Sequence, residues 1–167
     1  MRNLEKQFLQ AYEELSDAIF RHCYFRVFNR ERAKELMQDT FTKTWEYLSK
    51  GSVQNLRAFL YRVANNLIID ESRKKKEESL EMLQESSGFD PGEDTKDKLI
   101  NFMEGKEVIK MLNKIDPKYR LAISMRYIDD LSPKEISEVL DETENNVSVR
   151  IHRGLKQLKE LVKEKND

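Results

Sequence analysis

The sequence predicts an all-α fold of two small helical domains joined by a flexible acidic linker, the C-terminal one a helix-turn-helix. Three observations predict it. Only five glycines and three prolines interrupt 167 residues, which favours long helices over a turn-rich β architecture. Apolar residues recur at steps of three and four through most of the chain, the period of a helix with one buried face. Charge falls in blocks: residues 1–76 carry 15 Lys/Arg against 10 Asp/Glu, residues 77–105 carry 2 against 9, and residues 106–167 carry 13 against 12. The net charge of -1 therefore hides two non-acidic ends around an acidic middle. A nucleic-acid partner for the ends is compatible with that division.

In the first domain, residues 1–76, Phe8, Tyr12, Leu15, Ile19, Cys23 and Val27 mark one helical face. A second helix follows the break at Asn29-Arg30, with Ala33, Met37, Phe41, Thr44 and Leu48 in line and Leu36 and Trp45 beside them. Lys50-Gly51 predicts its end, a basic last turn with a glycine C-cap. Asn55 predicts the N-cap of a third helix, buried along Leu56, Phe59, Leu60, Val63, Ala64 and Leu67.

Residues 77–98 form the linker. Glu77 to Glu93 is rich in acid, Ser and Gly, the composition of a tether that cannot bury a core. The last domain, residues 99–167, resumes helical periodicity at Leu99, Met103, Ile109 and Leu112, weakened at Gly105. Asp116-Pro117 predicts an N-cap with proline at the first helical position, opening a helix with Leu121, Ala122 and Met125 inward. Ser132-Pro133-Lys134-Glu135 predicts a capping box and a short helix burying Ile136, Val139 and Leu140. Thr143 caps a long helix buried along Val147, Ile151, Leu155, Leu158 and Val162. About three residues separate the last two helices, so they must cross steeply.

Three constellations carry chemistry. Asn146, Arg150 and Arg153 are spaced four and three apart and share one face of the last helix. Asn and Arg pair with adenine and guanine edges in the major groove, and Lys156 and Lys159 add phosphate attraction. On the third helix, Tyr61, Arg62, Asn65, Asn66, Asp70 and Arg73 run into Lys74-Lys75-Lys76. Hydrogen-bonding and basic side chains beside aromatics suit unstacked single-stranded bases, although a basic C-terminal turn also complements the helix dipole. On the second helix, Gln38, Asp39, Phe41 and Trp45 offer either a protein-docking surface or, for Trp45, plain core.

Other classes are disfavoured. The chain has no Gly-rich phosphate loop, nucleophile elbow or metal-ligand spacing, so no enzyme activity, metal or cofactor is expected. Cys23 is the only cysteine, which excludes an internal disulfide, and it lies in an apolar stripe as a core residue. No apolar run reaches the roughly 20 residues of a membrane span, and the first ten residues lack a signal-type stretch, which points to the cytoplasm.

These residues resemble the extracytoplasmic-function group of bacterial sigma factors over nearly the whole chain. Arg32 to Phe41, followed by Trp45, resembles the family's polymerase-binding helix. Leu56 to Asp70 with Arg73 is similar to the segment that melts and reads the minus-ten element. Met125-Arg126-Tyr127 through Leu131-Ser132 and Glu135-Ile136, then Val147 to Arg153, resembles the minus-thirty-five reader. The resemblance implies a non-catalytic initiation factor, monomeric when free. Its partners would be core RNA polymerase (clamp helices and flap), promoter DNA and an anti-sigma factor. It implies that Gln38, Asp39, Phe41 and Trp45 form or support the polymerase grip. Arg62, Asn65, Asn66, Asp70, Arg73 and Lys74, with the loop from Gly51 to Asn55, would face the minus-ten element. Asn146, Ser148, Arg150 and Arg153 would face the minus-thirty-five element, while the acidic linker threads the polymerase near its RNA path.

The sequence departs from the family at the last turn. Asp141-Glu142-Thr143-Glu144 supplies three carboxylates where a small turn is usual, and Ser148 stands where a basic residue is often found. The carboxylates suit a helix N-terminus but repel phosphates, so a weak minus-thirty-five contact is expected. Two rivals stay open on the residues alone: a dimeric helix-turn-helix regulator of duplex DNA with a sensing or dimerisation N-domain, and a helical interaction module that binds a sigma factor.

Overall fold

A computed structural model of the chain describes residues 2–81 and 110–166, which fall into two compact units. Among the described residues there is no β-strand.

The first unit is built from α1 (Arg2–Val27), α2 (Arg30–Leu48) and α3 (Leu56–Glu81), each packed against the other two. Its core is Ile19, Cys23 and Tyr24 of α1, Ala33, Leu36 and Phe41 of α2, and Leu60, Tyr61, Ala64 and Ile68 of α3. Removing such side chains from water contributes about 1.5–3 kcal/mol each for the larger ones. Phe28 closes α1 in the left-handed region (φ 51), its N–H donating to Tyr24 O at 2.7 Å. Asn29 then caps α2, its side chain accepting from Arg32 N at 3.1 Å. The expected stripe of α2 is buried from Ala33 to Leu48. Thr40 and Thr44 lie in it because each hydroxyl bonds the carbonyl four residues back, at 2.6 and 2.7 Å.

Three expectations are corrected here. The end of α2 falls at Leu48, with Ser49 as C-cap and no basic residue in the last turn, so Gly51 is not the cap. Ser49 needs no left-handed conformation, since its hydroxyl bonds Trp45 O at 2.8 Å. Asn55 does cap α3, accepting from Ala58 N at 3.0 Å, but the buried stripe is rotated. Ala58, Leu60, Tyr61, Ala64, Asn65 and Ile68 are buried, whereas Leu56, Phe59, Val63 and Leu67 are only half-buried. Two polar-tipped side chains, Tyr61 and Asn65, turn inward because the core supplies partners for them. Finally, α3 continues to Glu81, through residues expected to begin the linker. Lys, Glu and Leu are strong helix formers and favour its continuation. The remainder of the linker, and the periodic segment containing Leu99, Met103 and Ile109, lies outside the described residues.

The second unit contains α4 (Pro117–Ile123), a π-helical turn (Ser124–Ile128), α5 (Pro133–Leu140) and α6 (Glu144–Asn166). Asp116 caps α4 through Lys118 N at 3.2 Å, with Pro117 in the first turn. Ser132 and Glu135 form both halves of the capping box, each bond 3.1 Å. Thr143 caps α6 through Asn146 N at 3.1 Å. Leu131, Ile136, Val139, Val147 and Ile151 meet beneath the turn. Further along α6 the buried line drifts from the expected one. Gly154 is buried, Leu158 and Leu161 pack on Leu112, Ile115 and Ile123, and Val162 is exposed. Gly154 lets α4 and α6 approach closely: a Cβ there would collide with Ile123 Cδ1 and come within 3.1 Å of Tyr119 Cβ.

Candidate nucleic-acid and polymerase interfaces

The first surface lies on α3. Arg62, Asn66, Asp70, Arg73 and Lys74 are all exposed, and their spacing gathers them on one side of the helix. The same periodicity puts Asn65 on the other side. It is 3% exposed and its Oδ1 accepts from Arg26 Nη1 of α1 at 2.7 Å. Tyr61, 1% exposed, sets its ring edge-on to His22 at 5.3 Å and offers no stacking platform. Two of the six side chains in this constellation thus build the helix's seat rather than its surface. The seat is reinforced where Arg32 of α2 donates through Nε to Glu71 of α3 and through Nη1 to Glu35 at 2.6 Å. Hydrogen bonding to Glu71, more than any other cause, pushes the Arg32 guanidinium up from its ordinary value despite opposing burial. Arg32 therefore stays a cation through the accessible pH range.

The second surface lies between α1 and α2. Gln38 and Asp39 are exposed, Trp45 is half-buried and Phe41 is buried. Phe8 stands 5.0 Å from Trp45 and 6.0 Å from Phe41, centroid to centroid, and Tyr12 stands 4.9 Å from Phe41. These rings line an open groove of about 490 Å³ with Gln38 and Thr42. A neighbouring one, lined by Glu5, Phe8, Leu9 and Trp45, measures about 300 Å³. Leu9 is 61% and Tyr12 40% exposed, a concentration of apolar surface that a folded chain ordinarily covers with a partner. The share contributed by α1 is missed by sequence reasoning, because Phe8 and Tyr12 fall in the stripe taken as core and only exposure separates the two ends of that stripe.

The third surface is the helix-turn-helix. Three residues, 141–143, link α5 to α6. Asp141 ends α5 in the left-handed region (φ 54, ψ 49), and its N–H bonds Ser137 O. On α6, Asn146 and Arg153 are exposed and Arg150 lies between them, half-buried. Ser148 is exposed but sits about 160° around the helix from Arg150, so the structure does not bring it to the same face. Arg150 is held by Glu142 of the turn, Nη2 to Oε1 at 2.7 Å, a contact the sequence pattern does not disclose.

Among the described residues, no cluster of three or more His, Cys, Asp or Glu side chains is arranged to hold a metal ion. No described helix is long and apolar enough to cross a membrane.

Comparison with known families decides what these surfaces belong to. The model of sigma-70 region 2 matches residues 11–78, and that of sigma-70 region 4 matches residues 105–158. Together they take in well over half of the chain, one in each unit. The chain belongs to the extracytoplasmic-function group of the sigma-70 family. The ECF RNA polymerase sigma factor SigW of Bacillus subtilis is 28% identical over 94% of this chain and 89% of that protein. SigE of Mycolicibacterium smegmatis, also an ECF sigma factor, is 28% identical over 92% of this chain but 62% of its own longer length. Among solved structures, the fold is similar to that of the sigma factor RpoE from Bartonella quintana, crystallised with the anti-sigma factor NepR. The TM-score is 0.72 with 20% identity, over 95% of this chain and 98% of that one.

In sigma-70 terms, the α3 surface and the Tyr12 and α2 side of the aromatic groove lie in region 2, with Phe8 and Leu9 just before the matched residues, and the α5–α6 turn lies in region 4.

Proposed function

We propose that this sigma factor docks on core RNA polymerase through the α1–α2 groove and directs promoter-specific initiation by reading two DNA elements with two separate helical faces. Arg62, Asn66, Asp70, Arg73 and Lys74 of α3 face the melted minus-ten element, and Asn146, Arg150 and Arg153 of α6 face the minus-thirty-five element in duplex form. The observation that carries this is the coexistence, on one chain, of an exposed polar and basic face in each unit with an open aromatic groove beside the first. Phe41 and Asn65 act from beneath: Phe41 shapes the groove floor and Asn65 fixes α3 against α1. The factor needs no catalytic group of its own, because the polymerase supplies the chemistry. A free factor with so much exposed apolar surface invites a protein cover, and the anti-sigma partner of the similar RpoE suggests what class of protein supplies it.

Run-off transcription with core polymerase and genomic fragments tests the proposal. Wild type yields defined start sites, and Leu9→Glu, which places a charge in the adjoining groove that shares Phe8 and Trp45, without touching the core, loses both co-purification with core enzyme and transcript. A dimer that shifts a palindromic duplex without polymerase, and yields no transcript with it, would establish the regulator reading instead.

A further inference from the structure

The carboxylates of the α5–α6 turn are not equivalent. Asp141 and Glu144 are exposed, but the Glu142 side chain is 27% exposed and that of Arg150 is 29%. Glu142 is fixed from both ends. Its N–H donates to Ser137 O at 3.0 Å, and its Oε1 accepts from Arg150 Nη2 at 2.7 Å. Its Oε2 is buried and makes no hydrogen bond among the described residues, so the charge on this carboxylate is answered chiefly by one guanidinium. Such a pair is not a freely solvated surface contact, and neither side chain can leave without exposing the other to an unpaired, partly desolvated charge.

We propose that Glu142 is a positioning residue for Arg150, a role that rests on the reading of α6 as the minus-thirty-five reader. A guanidinium carries five N–H donors in a rigid fork, and the bond to Glu142 leaves enough of them for a bidentate contact with a guanine edge. Holding the fork in place before DNA arrives removes the ordering cost of a long, rotamer-rich side chain from the binding step. The acidic turn then sharpens sequence choice even while Asp141 and Glu144 weaken phosphate attraction. Glu142 supplies orientation, and those two supply repulsion.

The test is selection by holoenzyme, reconstituted from core polymerase and the full-length factor, from a duplex pool randomised across both promoter elements. Wild type enriches guanine at one upstream position. Arg150→Ala abolishes that preference, Glu142→Ala lowers it about tenfold, and Glu142→Gln, whose amide oxygen still accepts from Nη2, keeps most of it. Glu142→Asp retains the charge but shortens the reach by one methylene. It lowers the preference too, and keeps the proposal testable should the alanine variant misfold. In an Arg150→Ala background, Glu142→Ala causes no further loss of preference. The proposal is overturned if all three Glu142 variants leave the guanine preference intact, with Ala and Gln merely strengthening binding to every sequence. Additive losses in the double variant overturn it as well. If Arg150→Ala itself leaves every upstream preference unchanged, the minus-thirty-five reading of α6 falls and this inference falls with it. Loss with Arg150→Ala but not with any Glu142 variant removes this inference alone.

Discussion

Asn65 and Asn66 are adjacent in sequence and opposite in environment. One is buried with its carbonyl on Arg26, and the other points into solvent beside Arg62 and Asp70. A helix turns 100° per residue, so a one-position shift of the buried stripe decides which amide is open to a ligand and which holds the fold. Separate consequences follow for the two. Asn65→Ala should destabilise the first unit by about 1–3 kcal/mol, because it removes a part-buried hydrogen bond to a charged group, and denaturant titration checks this. Asn66→Ala should leave that midpoint within about 0.5 kcal/mol of wild type, as expected for an exposed position. From sequence the pair could not be separated. Leu56, Phe59, Val63 and Leu67 make an equally good apolar line, and only the polar partners that α1 offers, half-buried Arg26 for Asn65 and buried His22 for Tyr61, rotate α3 the other way.

At the scale of elements, what was legible was the punctuation. Asn55, Asp116, Ser132 with Glu135, and Thr143 all cap the helices they open, and Asn29, read only as a break, caps α2 as well, because a short polar side chain before an apolar run has a local use that tertiary packing rarely overrides. Helix ends were less legible. Gly51 follows a terminus already closed by Ser49, and α3 runs on to Glu81 through good helix formers. In α6 the buried line passes through Gly154 rather than Leu155, since α4 packs too near for any side chain, a tertiary constraint that periodicity does not carry. The α5–α6 turn gives the prediction proper to this scale. Asp141 is left-handed at φ 54, where glycine has no Cβ penalty. Asp141→Gly should therefore stabilise the helix-turn-helix by about 0.5–1 kcal/mol. Slower hydrogen exchange of the α5 and α6 amides would register it, and faster exchange would contradict it.

Over the whole molecule, the candidate site is divided: the two surfaces proposed to face DNA stand on two units, and the groove proposed to dock protein belongs to the first of them. The block pattern of charge fits that division, with acid concentrated in residues 77–105 and the two ends close to neutral or basic. Affinity for DNA should then come mainly through the assembled holoenzyme, and the acidic turn before α6 should keep the free factor's non-specific binding low. The two faces are also asked for different things. On the proposed function, capture of unstacked bases by α3 would drive opening, whereas α6 would hold duplex that stays closed. The most direct measurement is to follow closed-complex binding and strand opening separately on one promoter, using holoenzyme with wild-type factor, Asn66→Ala and Arg150→Ala. The division of labour predicts that Asn66→Ala binds nearly as wild type but opens poorly. Arg150→Ala should lose about 1–3 kcal/mol of closed-complex discrimination at its upstream base pair, yet open normally once bound. Equal opening by Asn66→Ala and wild type on every template would contradict it.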